Sequence, residues 1–163
     1  MLSFYVTDIL KVGPIWFGWL NAATSIGAIG VLLTIAIKPI TAKQGKILLY
    51  AVAGFGICII TFGLSKNVWL SLTALLVSGI FDGISVVIRS TILQLYVPDE
   101  MRGRVSSVNS MFINSSNELG QFESGVAAKM MGTVPSVVFG GCMTLLVVAI
   151  TWFKAPTLRK MEY

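Results

Sequence analysis

The 163-residue chain is 55% hydrophobic, its mean hydropathy is +0.84, and only 12% of its residues are charged. An ordinary soluble domain carries about a quarter, so the balance excludes a water-soluble globular protein and points to one polytopic membrane domain over residues 1–163. The net charge of +5 comes from lysines and arginines that stand mostly in short loops between apolar runs, a topological pattern rather than a nucleic-acid footprint.

No histidine is present. The commonest metal ligand and the usual neutral-pH proton shuttle are therefore missing, and no metal or cofactor is expected. No serine–histidine pair exists, and no catalytic motif surrounds the carboxylates, so an enzyme is not expected either.

Residues 1–12 lack the basic start and small-residue cleavage site of a signal peptide. They read as the remnant of a preceding helix or as an external loop, which makes the chain a piece of something larger. Five apolar runs follow, at 14–37, 46–65, 68–95, 105–129 and 135–153. A helix needs about 20 residues to cross a bilayer, and each run is close to that or longer. The runs are continuous rather than alternating, so they are helices and not barrel strands. A helix also satisfies its own backbone hydrogen bonds in lipid. The expected fold is all-α, a bundle of five transmembrane helices. Cys58 and Cys142 lie inside separate runs and are expected as buried free thiols.

The third run carries Ser78, Asp82, Ser85 and Arg89 at intervals of four, three and four, which is one helical face. Asp82 falls at mid-span. Such a stripe either locks helices together or lines a polar cavity. In the same run, Gly79 and Gly83 form a GxxxG, a pattern of close helix packing.

PDEMRGR, 98–104, separates the third and fourth runs. Pro98 ends a helix because it cannot continue the hydrogen-bond ladder. Asp99 or Glu100 is expected to cap or flank the next helix. Gly103 is expected to permit close approach or an unusual backbone angle, and Arg102 and Arg104 to hold the turn in the cytoplasm.

In the fourth run, Asn114, Glu118 and Gln121 fall on one polar arc, and Glu118 is at mid-span. Another face carries Ser116, Gly120 and Ser124 at intervals of four, with Glu123 beside it. That face is expected to serve helix packing. A charge at membrane depth costs about 2.5–3.5 kcal/mol on insertion scales. The third and fourth helices should therefore be interior and pack against one another or line a shared concave face, with the second and fifth peripheral.

Direction follows from the basic residues. Lys38, Lys43, Lys46, Arg102, Arg104, Lys154, Arg159 and Lys160 fall on one side, and Lys11, Lys66 and Lys129 on the other. The larger group marks the cytoplasm. The C-terminus is then inside and residue 1 outside.

The stretch VVIRSTILQLYVPDEMRGRVSSVNSMFINSSNELGQFESG, 86–125, together with the order of the spans, resembles the C-terminal part of a major facilitator superfamily transporter. The branch it resembles exports drugs and siderophores and includes enterobactin exporters. The resemblance implies helices eight to twelve of a twelve-helix fold, with Pro98, Asp99, Arg102, Gly103 and Arg104 in the cytoplasmic turn between the tenth and eleventh. It further implies that KPITAKQGK, 38–46, is a degenerate basic loop in which Gly45 and Lys46 fit but no Asp stands.

Function follows from the resemblance. It implies a proton-coupled exporter (an antiporter) of small amphipathic molecules in the plasma membrane, with Asp82, Arg89, Asn114, Glu118 and Gln121 on the substrate or proton pathway. The implied partners are the lipid bilayer, a small-molecule substrate, and a missing N-terminal six-helix half or a second copy, with no nucleic acid. The alternative is a transport-inactive truncated half-transporter with only a structural or interaction role.

Overall fold

Long apolar stretches with prolines only at their margins build five α-helices among the described residues. The computed structural model describes residues 14–38 and 44–154. Its helices are α1 (Pro14–Ile37), α2 (Gln44–Leu64), α3 (Val68–Tyr96), α4 (Arg102–Met131) and α5 (Thr133–Lys154). Among the described residues there is no strand. α1, α2, α3 and α5 are long and apolar enough to cross a membrane. α4 is long enough, but its polar and charged residues set it apart from them.

The connections are short and chemically explicit. Between α2 and α3, the Asn67 side chain accepts a hydrogen bond from the Trp69 backbone N–H at 3.1 Å and caps α3. The Ser65 hydroxyl accepts from the Ser71 hydroxyl at 3.1 Å, so the turn is tied to the helix that follows. Pro98 stops the chain just beyond α3, and a short 3-10 turn, Asp99–Met101, leads into α4. Gly132 breaks α4 from α5 with φ of 89°, a left-handed conformation that glycine adopts without steric cost. Pro135 then sits in the first turn of α5, where its missing N–H leaves no intrahelical bond unmade.

The helices pack in a chain of neighbours. α1 lies on α3, α3 on α2, α2 on α5, and α5 on α4. One apolar core gathers Leu20 of α1, Phe62 of α2, and Ala74 and Leu75 of α3, with Val134 and Val137 of α5 against it. It occupies the end of the bundle where α2 stops and α1, α3 and α5 start. The α1–α3 contact is the closest. A Cβ on Gly79 would collide with the Thr24 carbonyl, and one on Gly83 would stand 3.3 Å from the Ala28 Cα.

Several sequence expectations are corrected here. α3 takes α1 and α2 as its principal neighbours, not α4. The glycine face of α3 matches the small residues Ala23, Thr24, Gly27 and Ala28 of α1, whereas α4 offers large exposed groups such as Phe112, Leu119 and Phe122. α2 is held between α3 and α5, and Tyr50, Ile57 and Leu64 on its free side are exposed. No residue of α4 is buried. Gly103 is helical, sits in the first turn of α4, and has open space where a Cβ would be. Asp99 and Glu100 flank α4, but its N-cap is Met101 and makes no side-chain cap bond. Both cysteines are free, yet Cys58 is half-buried and Cys142 exposed, since Cys142 falls on the uncovered side of α5.

Candidate functional site

The polar stripe of α3 splits into two kinds of residue. Ser78 and Ser85 are almost fully buried, at 1% and 5% exposure. The Ser78 hydroxyl donates to the Leu75 carbonyl at 2.7 Å, so its own helix satisfies it. Asp82 and Arg89 are exposed at the surface of this chain. They border a cavity of about 200 Å³ together with Val52 and Phe55 of α2, Phe81 and Ser85 of α3, and Thr144 of α5. Arg89 Nε donates to the Ser85 carbonyl at 3.2 Å. Among the described residues the ion pair is Asp99–Arg102, so Asp82 and Arg89 do not neutralise one another.

That ion pair belongs to the charged turn. Arg102 approaches Asp99 Oδ1 at 2.6 Å and donates to the Gln94 carbonyl at 3.3 Å, which ties the start of α4 back to the end of α3. Both charged side chains are well exposed, so the pair contributes at most about 1 kcal/mol. Its value lies in fixing the geometry of the turn. Pro98 supplies an extended residue before it. Arg104 borders a groove with Leu93 of α3 and Val105, Val108, Asn109 and Phe112 of α4.

On α4, Asn114, Glu118 and Gln121 are all exposed. A shallow polar hollow of about 560 Å³ is bordered by Ser116, Asn117, Gly120, Gln121 and Ser124. Gly120 has open space at its Cβ position, so it meets no other described helix, whereas Gly79 and Gly83 do. Glu123 is exposed as well. The structure thus brings Asp82 and Arg89 into one cavity and leaves Asn114, Glu118 and Gln121 on another helix. Sequence reasoning missed Phe55, Phe81 and Thr144, which carry no periodic signal of their own.

Four helices of spanning length and apolarity, with Asp82 midway along α3 and Arg89 two turns further on beside one cavity, fit a multi-pass membrane protein that handles a polar ligand rather than a lipid anchor. A family model described as transmembrane secretion effector matches residues 1–163. The chain belongs to the transmembrane secretion effector family of the major facilitator superfamily. No curated protein and no solved structure matches it. As a member of that family the effector homologue is a multi-pass transporter working in a lipid bilayer on a transported substrate.

Proposed function

We propose that this transporter is an exporter of small amphipathic molecules across the cytoplasmic membrane, driven by protons. The observation that carries the reading is the unpaired Asp82 and Arg89 on a cavity between α2, α3 and α5. A charge at membrane depth persists only where water, protein or substrate compensates it. Asp82 on α3 and Glu118 on α4 are the two carboxylates placed to carry a coupling proton. A second helix bundle, from another stretch of polypeptide or from a second copy, covers the exposed polar arc of α4. The two bundles rock about the midplane site.

The charged turn and the C-terminus face the cytoplasm in this reading, because eight basic residues lie on that side against three on the other. α4 then crosses the membrane as the fourth of five spans. Reporter fusions placed after Lys46, Arg104 and Tyr163 are expected to report cytoplasm at all three. An external signal at any of them overturns the orientation.

The absence of any buried residue on α4 also favours a second reading, a transport-inactive half-transporter that acts by association. The two readings part on activity. Cells expressing the full chain should accumulate less of an amphipathic dye such as ethidium than mock cells. Equal accumulation supports the second reading.

A further inference from the structure

The cavity beside Asp82 has a dipolar lining that one kind of ligand satisfies. Asp82 and Arg89 are seven residues apart on α3, about 10 Å along the helix axis at 1.5 Å per residue. The bond from Arg89 Nε to the Ser85 carbonyl draws the arginine stem back toward Asp82. α2 fixes the aromatic wall. The Phe81 ring lies against the bare backbone of Gly54, where a Cβ would stand 2.7 Å from the ring. Phe55 borders the same space from α2, and Thr144 adds a hydroxyl from α5. That hydroxyl donates to the Gly140 carbonyl at 3.0 Å, which leaves its oxygen free to accept.

A carboxylate flanked by aromatic rings attracts an organic cation. A guanidinium attracts a carboxylate, with two hydrogen bonds where the geometry allows. A simple cation would leave Arg89 uncompensated at membrane depth. A simple anion would leave Asp82 so. We propose that this cavity binds a small zwitterion, its cationic group at Asp82 beside Phe55 and Phe81 and its anionic group at Arg89. The volume of about 200 Å³ holds one ring or a short chain, less than the usual drug-sized ligand. That the zwitterion is cargo rests on the transport reading above. That it binds does not.

The test uses the full chain in lipid nanodiscs and titration calorimetry with three probes. They are 4-(aminomethyl)benzoate, a zwitterion built on one benzene ring, and its single-charge relatives 4-methylbenzylamine and 4-methylbenzoate. The zwitterion is expected to bind about tenfold more tightly than either relative. Arg89→Gln should erase its advantage over the amine, and Asp82→Asn its advantage over the benzoate. Gly54→Ala keeps both charges but displaces the Phe81 ring, and should weaken all three probes together. If either charge variant fails to fold, the wild-type comparison decides alone. A zwitterion no tighter than the amine, an advantage that survives both charge substitutions, or no binding of any probe at millimolar concentration overturns the proposal. Zwitterion preference without any transport overturns the transport reading and leaves the site standing. Ethidium export without zwitterion preference does the reverse.

Discussion

Glu118→Gln is expected to abolish ethidium export while expression and membrane insertion stay normal. Glu118 lies on the most polar arc of α4, beside Asn114 and Gln121, and is exposed on a helix with no buried residue. Within this chain it supports no packing among the described residues that the substitution could disturb. Glutamine keeps the shape and the hydrogen bonding but cannot ionise. The chain holds no histidine, so within it a carboxylate is the side chain suited to carry a coupling proton. A fall of about tenfold or more in export corresponds to at least about 1.4 kcal/mol of lost coupling. Persistence of export at every pH would make Glu118 structural. Asp82→Asn is the companion measurement, and its failure to reduce export would remove the α3 cavity from the pathway.

Gly79→Leu is expected to unpack α1 from α3 and to give the largest stability loss of any single glycine substitution on these two helices. At Gly79 the obstacle is backbone, since a Cβ would strike the Thr24 carbonyl. No rotamer change relieves such a clash, so the helices must separate. Gly27 faces the Leu76 carbonyl in the same way from the other side, and one seam then loses contact along its length. Overpacking of this kind costs about 1–3 kcal/mol. For a chain of this size that is a fall of roughly 5 °C in melting temperature. Gly18→Leu and Gly30→Leu are the controls, because nothing lies within 4 Å of a Cβ at either position. Thermal melts in detergent that drop equally for all three would show that helix propensity, and not the seam, set the result.

The helical bundle was legible because its cause is local. A continuous apolar run must be a helix in lipid, and Pro98 ends α3 wherever its neighbours happen to pack. The spacing of Asp82 and Arg89 on one face was legible for the same reason, being a property of a single helix. What surrounds them was not. Phe55 and Thr144 reach the cavity from α2 and α5, and only tertiary packing decides that α2 lies between α3 and α5. The GxxxG of Gly79 and Gly83 announced a close neighbour without naming Thr24 and Ala28 as its surface. Gly103 misled for an instructive reason. A glycine between two arginines in a turn suggests a special backbone angle, yet α4 begins one residue earlier and absorbs it as an ordinary helical residue. Of the two arrangements expected for α3 and α4, direct packing is not the one found, because shared polarity does not supply complementary shape.

In the transport reading, polar positions on α4 and around the α3 cavity meet water at membrane depth, and do not merely sit beside lipid. Cys58 and Cys142 are free and are first replaced by serine. Single cysteines are then introduced at Gln121, at Thr144 and at Ile57, the last an apolar position on α2 with 56% exposure in this chain. Membrane vesicles holding the full chain are treated with a charged, water-soluble methanethiosulfonate. Rapid modification of Gln121→Cys and Thr144→Cys with none of Ile57→Cys is the predicted result. Equal protection of all three would contradict the account.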